Sequence, residues 1–195
     1  MTRALWLMAA ALALAAQPKL LINAKVDTRS AAAGLEREFR AMLATQPQPA
    51  WIGYTVPAVG GVQLGCELVS GVIHLEPPDH AVVLYRVEAN AVTRIRALSP
   101  DCEIDAGGVP VHWIADVQPA ESVEVLKKFI RSDPGQAVRA RGAISALVVS
   151  TEGIQVLIEL AKTTQNAEVR KQAMSSLGRS RDPRALAFFE DVLKR

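Results

Sequence analysis

The sequence predicts an α+β protein, a small antiparallel β domain followed by a short α-solenoid. Three observations predict it. Residues 138 to 195 state one helical phrase twice, from Val138-Arg139 and, 31 residues later, from Val169-Arg170. Between Trp51 and Val117, turn residues recur roughly every eight to twelve positions among β-branched and aromatic runs. The first 16 residues read as a processing segment and contribute no element to either region. A repeat of roughly 30 residues built from two short helices must bury its apolar faces on its neighbours, and that is how solenoids are built.

The chain opens with Thr2-Arg3 as a positive start, followed by an unbroken apolar run from Ala4 to Ala16. Small residues at Ala13, Ala15 and Ala16 suit cleavage before Ala16 or Gln17. As a helix this run would cover only about 20 Å, short of the roughly 20 residues a membrane span requires. A cleaved export signal over residues 1–16 is therefore expected, with an uncleaved anchor as the alternative. It places the protein in the periplasm or the medium, with no stable membrane insertion and no cysteine beside the cleavage point to carry a lipid.

Export gives the two cysteines, Cys66 and Cys102, an oxidising compartment, where an isolated pair is expected to form a disulfide. The closed loop of about 37 residues is worth roughly 3–4 kcal/mol in the chain-entropy treatment. Two free buried thiols are the alternative. Charge divides mildly: residues 17–118 carry eight basic and eleven acidic side chains, residues 119–195 thirteen and nine. Such a difference steers encounter at most and is no nucleic-acid footprint.

Residues 17–48 hold an N-terminal segment and one helix. Ser30 or Thr28 is expected to cap it, Leu35, Phe39, Met42 and Leu43 fall at helical spacing, and Gln46-Pro-Gln-Pro49 ends it. Glu36 and Arg40 form an i,i+4 pair on the wet side. Residues 49–118 read as an antiparallel meander. Trp51–Val59 is expected to turn at Gly60-Gly61 into Val62–Val69 as a hairpin, with further strands at Val72–Glu76, Ala81–Glu88, Val92–Ser99, Asp101–Asp105 and Val109–Ile114.

Residues 119–195 are helical. The stretch from Pro119 to Ile130 turns Val123, Leu126 and Ile130 to one side. Val138-Arg139, Ala146 and Leu147 mark the next helix, and Ile154, Leu157, Ile158 and Ala161 its partner. Gly142 stands at a helical position where alanine is expected, at a cost of about 1 kcal/mol. In the later copy Asn166 caps a helix bearing Val169, Ala173 and Leu177, which Gly178 is expected to stop. Asp182-Pro183 opens the last helix, with Ala185, Leu186, Phe189, Val192 and Leu193 as its buried face.

Asn166-x-x-Val-Arg, Ala173, Leu177-Gly178 and Asp182-Pro-Arg-Ala-Leu186 resemble the HEAT-like repeat named after phycobilisome lyases, present in about two and a half copies. Gly34-Leu-Glu-Arg-Glu-Phe39, Pro49 to Pro57 and Ser99 to Gly108 are similar to secreted bacterial HEAT-repeat proteins over nearly the whole chain. The resemblance implies a short HEAT-like solenoid, the sheet domain covering its Pro119 end and its Arg195 end left bare. It carries over no lyase chemistry, because repeat similarity transfers architecture and not a site.

That implied role is interaction. The second helix of each HEAT-like pair lines the concave face, so an envelope protein as partner would meet Gln155, Glu159, Arg184 and Glu190, or the terminal helix at Phe188. Arginine and aromatic anchors would dominate the binding energy. Arg139 and Arg170, at matching places in the first helices, are expected to pack between repeats. The competing reading is a metal-dependent or hydrolytic domain on Asp101, Glu103 and Asp105 with His112. Alternate carboxylates before a glycine suggest a calcium loop, but Ala106 occupies the sixth place and His112 the twelfth, where glycine and glutamate belong. A strand with Cys102 and Ile104 inward and its acids in water is the simpler account. His74, His80 and His112 lack ligand spacing, and Ser122, Ser145 and Ser150 lack the setting of an exposed nucleophile, so no cofactor or metal is expected.

Overall fold

A computed structural model of the protein describes residues 21–60, 62, 64–66, 78–130 and 137–194. The export segment expected over residues 1–16 lies outside them, as do the strand expected over 72–76, His74 and Asp133-Pro134. Among the described residues the strands are, in chain order, β1 Leu21–Ile22, β2 Lys25–Ser30, β3 Ala50–Pro57, β4 His80–Glu88, β5 Ala91–Leu98, β6 Ile104–Asp105 and β7 Pro110–Ala115. The helices among them are α1 Leu35–Ala44, α2 Pro119–Lys127, α3 Ala137–Leu147, α4 Thr151–Thr163, α5 Ala167–Ser180 and α6 Pro183–Leu193.

The main sheet has the order β2-β7-β3-β4-β5. It is mixed, which corrects the purely antiparallel expectation. β3 to β5 pair antiparallel, whereas β7 lies between β2 and β3 and runs parallel to both. Parallel neighbours need a crossover, and α1 supplies one by carrying the chain from β2 to β3. The turn signals were real, but a turn reports that the chain reverses and not which strand it joins. Among the described residues, only Ala89-Asn90 closes a tight hairpin, both residues at positive φ as a two-residue turn of this kind requires.

The hairpin expected at Gly60-Gly61 does not form. β3 pairs with β4, Tyr54 opposite Val83, and after Pro57 the Val59 N–H turns aside to the Val149 carbonyl at 2.8 Å. Val62 and Leu64–Cys66 are irregular, with Val62 buried in the core; the rest of the strand expected over 62–69 lies outside the described residues. β1 and β2 were not foreseen. β2 is exposed along its whole length, so it carries no alternating apolar signal.

Ser30 caps a short 3-10 turn over Ala31–Ala33 rather than α1. Gly34 then takes φ +99°, and α1 begins at Leu35. Both ends of α1 are satisfied from a distance. The Leu35 N–H donates to Glu121 Oε1 at 3.3 Å, and Asn90 Nδ2 donates to the Leu43 and Ala44 carbonyls at 2.9 Å. Leu35, Phe39 and Met42 are buried as expected, and Glu36 pairs with Arg40.

The sheet's inner face and the helices share one core. Phe39 meets Tyr85 edge-on at 4.8 Å, and Phe129 stacks beside both. α3 lies on β5. There Gly142 comes so close that a Cβ would stand 2.4 Å from the Ile95 carbonyl oxygen, so its helix penalty is the condition of this contact. α4 packs on α2, α5 and α6, and α5 on α3, so the helices fall into two rows as paired repeats do. Ser150, Asn166 and Asp182 cap α4, α5 and α6. Gly178 does not stop α5, which runs on to Ser180 with Arg181 left-handed at its end. Burial of Leu177 and Ser180 outweighs the roughly 1 kcal/mol glycine penalty. α2 ends at Lys127, and i→i−3 bonds tighten the turn that follows as far as Ile130.

The sheet's outer face has a second apolar cluster of Val82, Leu84, Ala106, Val111 and Trp113. The β1–β6 ribbon lies over it, with Leu21 and Ile104 packed on the cluster.

Candidate functional site

Two surfaces hold the residues singled out by sequence. The first is the row of α2, α4 and α6. Gln155 and Glu159 stand exposed on α4, and Glu159 lines a groove of about 330 Å³ floored by Ile130, Val156, Leu160 and Val169. Glu190 is exposed on α6.

The two expected anchors are otherwise engaged. Phe188 is only 5 % exposed, its ring 5.2 Å from Phe189 and covered by the Lys162 ammonium at 5.7 Å. That makes it a core residue, a consequence of α6 rolling its 185/188 side onto the repeat. Leu186, expected in the buried face, is 62 % exposed, and Leu193 is 86 % exposed. With half-buried Phe189 they form an i, i+3, i+7 stripe facing water.

Arg184 grips Asp182 with two parallel hydrogen bonds of 2.9 and 2.7 Å and donates to the Thr151 carbonyl at 3.2 Å. This hydrogen bonding holds the Asp182 carboxyl below the usual range. Arg184 thereby joins the start of α6 to the start of α4. The paired arginines also reach backbone carbonyls. Arg139 donates to Val92 on β5 at 2.9 Å, at the sheet edge, and Arg170 donates to Thr164 in the α4–α5 turn.

The second surface is a cleft of about 440 Å³ on the sheet's outer face. Cys66 and Cys102, disulfide-bonded with Cα atoms 5.5 Å apart, form one wall. Leu84, Leu98, Val111 and Trp51 give an apolar lining, Arg94 and Arg96 project from β5, and Glu103 and Asp105 face the cleft from the β6 segment. The competing acid cluster does not assemble. Asp101 does not line the cleft. Asp105 accepts from Asn23 and the Gly107 N–H, and Asp101 from Ser99. His112 is on another part of the sheet, between Asp27 and Gln46. Among the described residues, no three His, Cys, Asp or Glu side chains are grouped to hold a metal ion.

Sequence reasoning missed the arginines of the cleft. Arg94 and Arg96 line it, and Arg94 stands directly opposite Arg86 of β4, which pairs with Glu88 at 3.0 Å and lies 5.5 Å over the Trp51 ring. Arg86 and Arg94 lie in two strands that each looked unremarkable, and only the pairing register brings them together. Also missed was the chain of buried hydroxyls Tyr85–Tyr54–Ser122, with links of 2.7 and 2.8 Å. Burial pushes the Tyr54 hydroxyl up to about 12, against hydrogen bonds to Ser122 and Tyr85 that pull it down, and also raises Tyr85. This chain lies inside the shared core and closes the sheet onto α2.

Residues 123–195 match the family of HEAT repeats, which supports HEAT-like repeats in the helical region. No curated protein and no solved structure matches the chain.

Proposed function

We propose that this protein is an exported interaction module whose HEAT-like repeats hold another protein of the cell envelope. HEAT repeats are in general protein-interaction modules, and the match over residues 123–195 supports that kind of role here. The observation that carries the reading is the apolar stripe Leu186–Phe189–Leu193 on α6, with a groove between α2 and α4 at Glu159 in the same row of helices. Large apolar side chains at regular spacing on a helix face mark a contact surface when water is their only cover. Export is supported by the charged start and apolar run of residues 1–16 and by the Cys66–Cys102 disulfide. The function assigned is binding, with no catalytic step and no cofactor.

The surface comprises Gln155, Glu159, Glu190 and the stripe, with Leu186 and Leu193 as apolar anchors. Arg184 acts from beneath by fixing α6, and Phe188 supports the stripe from the core. Affinity capture from an envelope fraction tests this, comparing the unaltered protein with Leu186→Asp, Leu193→Asp and a Glu159→Lys variant. The stripe variants should lose a specific captured protein at unchanged helical content, while Arg139→Ala lowers stability and keeps capture. Unchanged capture by all three surface variants would refute the assignment.

A further inference from the structure

We propose that the outer-face cleft is a binding site for a small zwitterion with an apolar body, of the class of apolar amino acids and dipeptides. This site is separate from the helical surface and does not depend on it. The cleft is about 440 Å³, within the range of small-molecule sites, and its lining is apolar save for two opposed sets of charge. Arg94 and Arg96 come from β5; Glu103 and Asp105 come from the β6 segment that forms another wall. A molecule with a carboxylate at one end and an ammonium at the other complements such a lining, whereas a single-charge molecule leaves one set facing nothing or a like charge. The apolar body would lie on the half-buried Leu98 and Ile104, beside the Trp51 ring.

Two further facts support a built site. Arg94 opposes Arg86 across the strand pair; Arg86 is paired with Glu88 at 3.0 Å, and Arg94 is the one of the two that lines the cleft. Among the described residues, the side chains of Arg94 and Glu103 form no hydrogen bond or ion pair with other protein groups, so one charge of each sign is left for a ligand. Asp105, held by Asn23 and Gly107, fixes the acidic wall. The disulfide ties that wall at Cys102 to Cys66.

The test uses the isotope-labelled full chain and three ligands with the same body: leucyl-phenylalanine, its N-acetyl form and its C-terminal amide. Backbone amide shifts are followed in titration. The free dipeptide should give saturable shifts at Leu84, Arg94, Leu98, Glu103 and Val111, and each blocked form should bind at least tenfold more weakly. Arg94→Gln should weaken the free dipeptide and the N-acetyl form but not the amide. Glu103→Gln should weaken the free dipeptide and the amide but not the N-acetyl form. Dispersion of the remaining signals reports that each variant is folded; should one not fold, the other decides. No saturable shift in the cleft, equal affinity for all three ligands, or variants without this crossed pattern would overturn the proposal.

Discussion

The two helical repeats carry nearly the same phrase, yet they sit in opposite surroundings. In the later repeat, α5 and α6 have their main packing on other helices, and the Leu186–Leu193 stripe is exposed. The earlier one, α3 and α4, is held on its α3 side by the sheet. There the phrase departs from its own pattern, with Gly142 for alanine and a serine cap for the Asp-Pro break. The departure at Gly142 has a named neighbour, the Ile95 carbonyl. A degraded repeat is thus a repeat fitted to a foreign surface, and a clean one has only its own kind to fit. The clean copy is also the one with apolar surface to spare.

The largest test of this contrast removes the sheet. A fragment beginning at Pro119 loses β5 from α3 and the Tyr54 hydroxyl from Ser122, so it should lack a cooperative unfolding transition by calorimetry. Full cooperativity at the parent midpoint would show that the repeats stand alone.

Next come the two glycines. Gly142→Ala puts a methyl against backbone that cannot yield cheaply, so it should destabilise by about 2–4 kcal/mol despite alanine's better helix propensity. Gly178 faces open space inside α5, and Gly178→Ala should stabilise by about 0.5–1 kcal/mol. Denaturant unfolding measures both. Changes of the same sign would break the comparison.

The joint between sheet and helices has an alkaline signature. The Tyr54 pKa is raised from 10 to about 12 by burial, so its contribution is complete below pH 10 and disappears as pH rises through about 12. Tyr85, also raised, adds to the same window. Stability should therefore fall over this range. Tyr54→Phe should cost about 1–2 kcal/mol at neutral pH, by leaving Tyr85 and Ser122 short of a partner, and give a shallower alkaline slope. Equal slopes for the two proteins would remove Tyr54 from the account.

The smallest effect lies in the clean repeat. Ser176 Oγ is buried with no hydrogen-bond partner. Ser176→Ala keeps the packing, removes an unsatisfied hydroxyl, and should stabilise by about 1 kcal/mol in thermal or chemical unfolding.

Much of the helical half was legible because its signals are local. Asn166 and Asp182 cap the helices that follow them, and the buried sets Val169/Ala173/Leu177 and Ile154/Leu157/Ile158/Ala161 follow helical spacing. Of the proposed interaction surface, the sequence named only part. Glu159 and Gln155 stand exposed on the expected helix, but the choice between Leu186 and Phe188 turned on how far α6 rolls onto its neighbours, and sequence spacing permits either. The cleft was seen only as its acidic strip; its arginines, Arg94 and Arg96, lie on β5 just ahead of that strip, where alternation marks a strand face but not what the face meets.

By itself, then, the sequence determined what a few neighbouring residues decide: the helices, the Asn166 and Asp182 caps, the repeat of 31 residues, the turn after Glu88 and the pairing of its only two cysteines. The tertiary structure alone decided what depends on distant partners. It set β7 between β2 and β3 and made the sheet mixed. It placed Arg86 opposite Arg94, joined Tyr54 to Ser122 and required a glycine against Ile95. Helical periodicity is a property of one segment, but strand pairing and close approach are choices between segments. The energy that settles those choices exists only once both segments are in place.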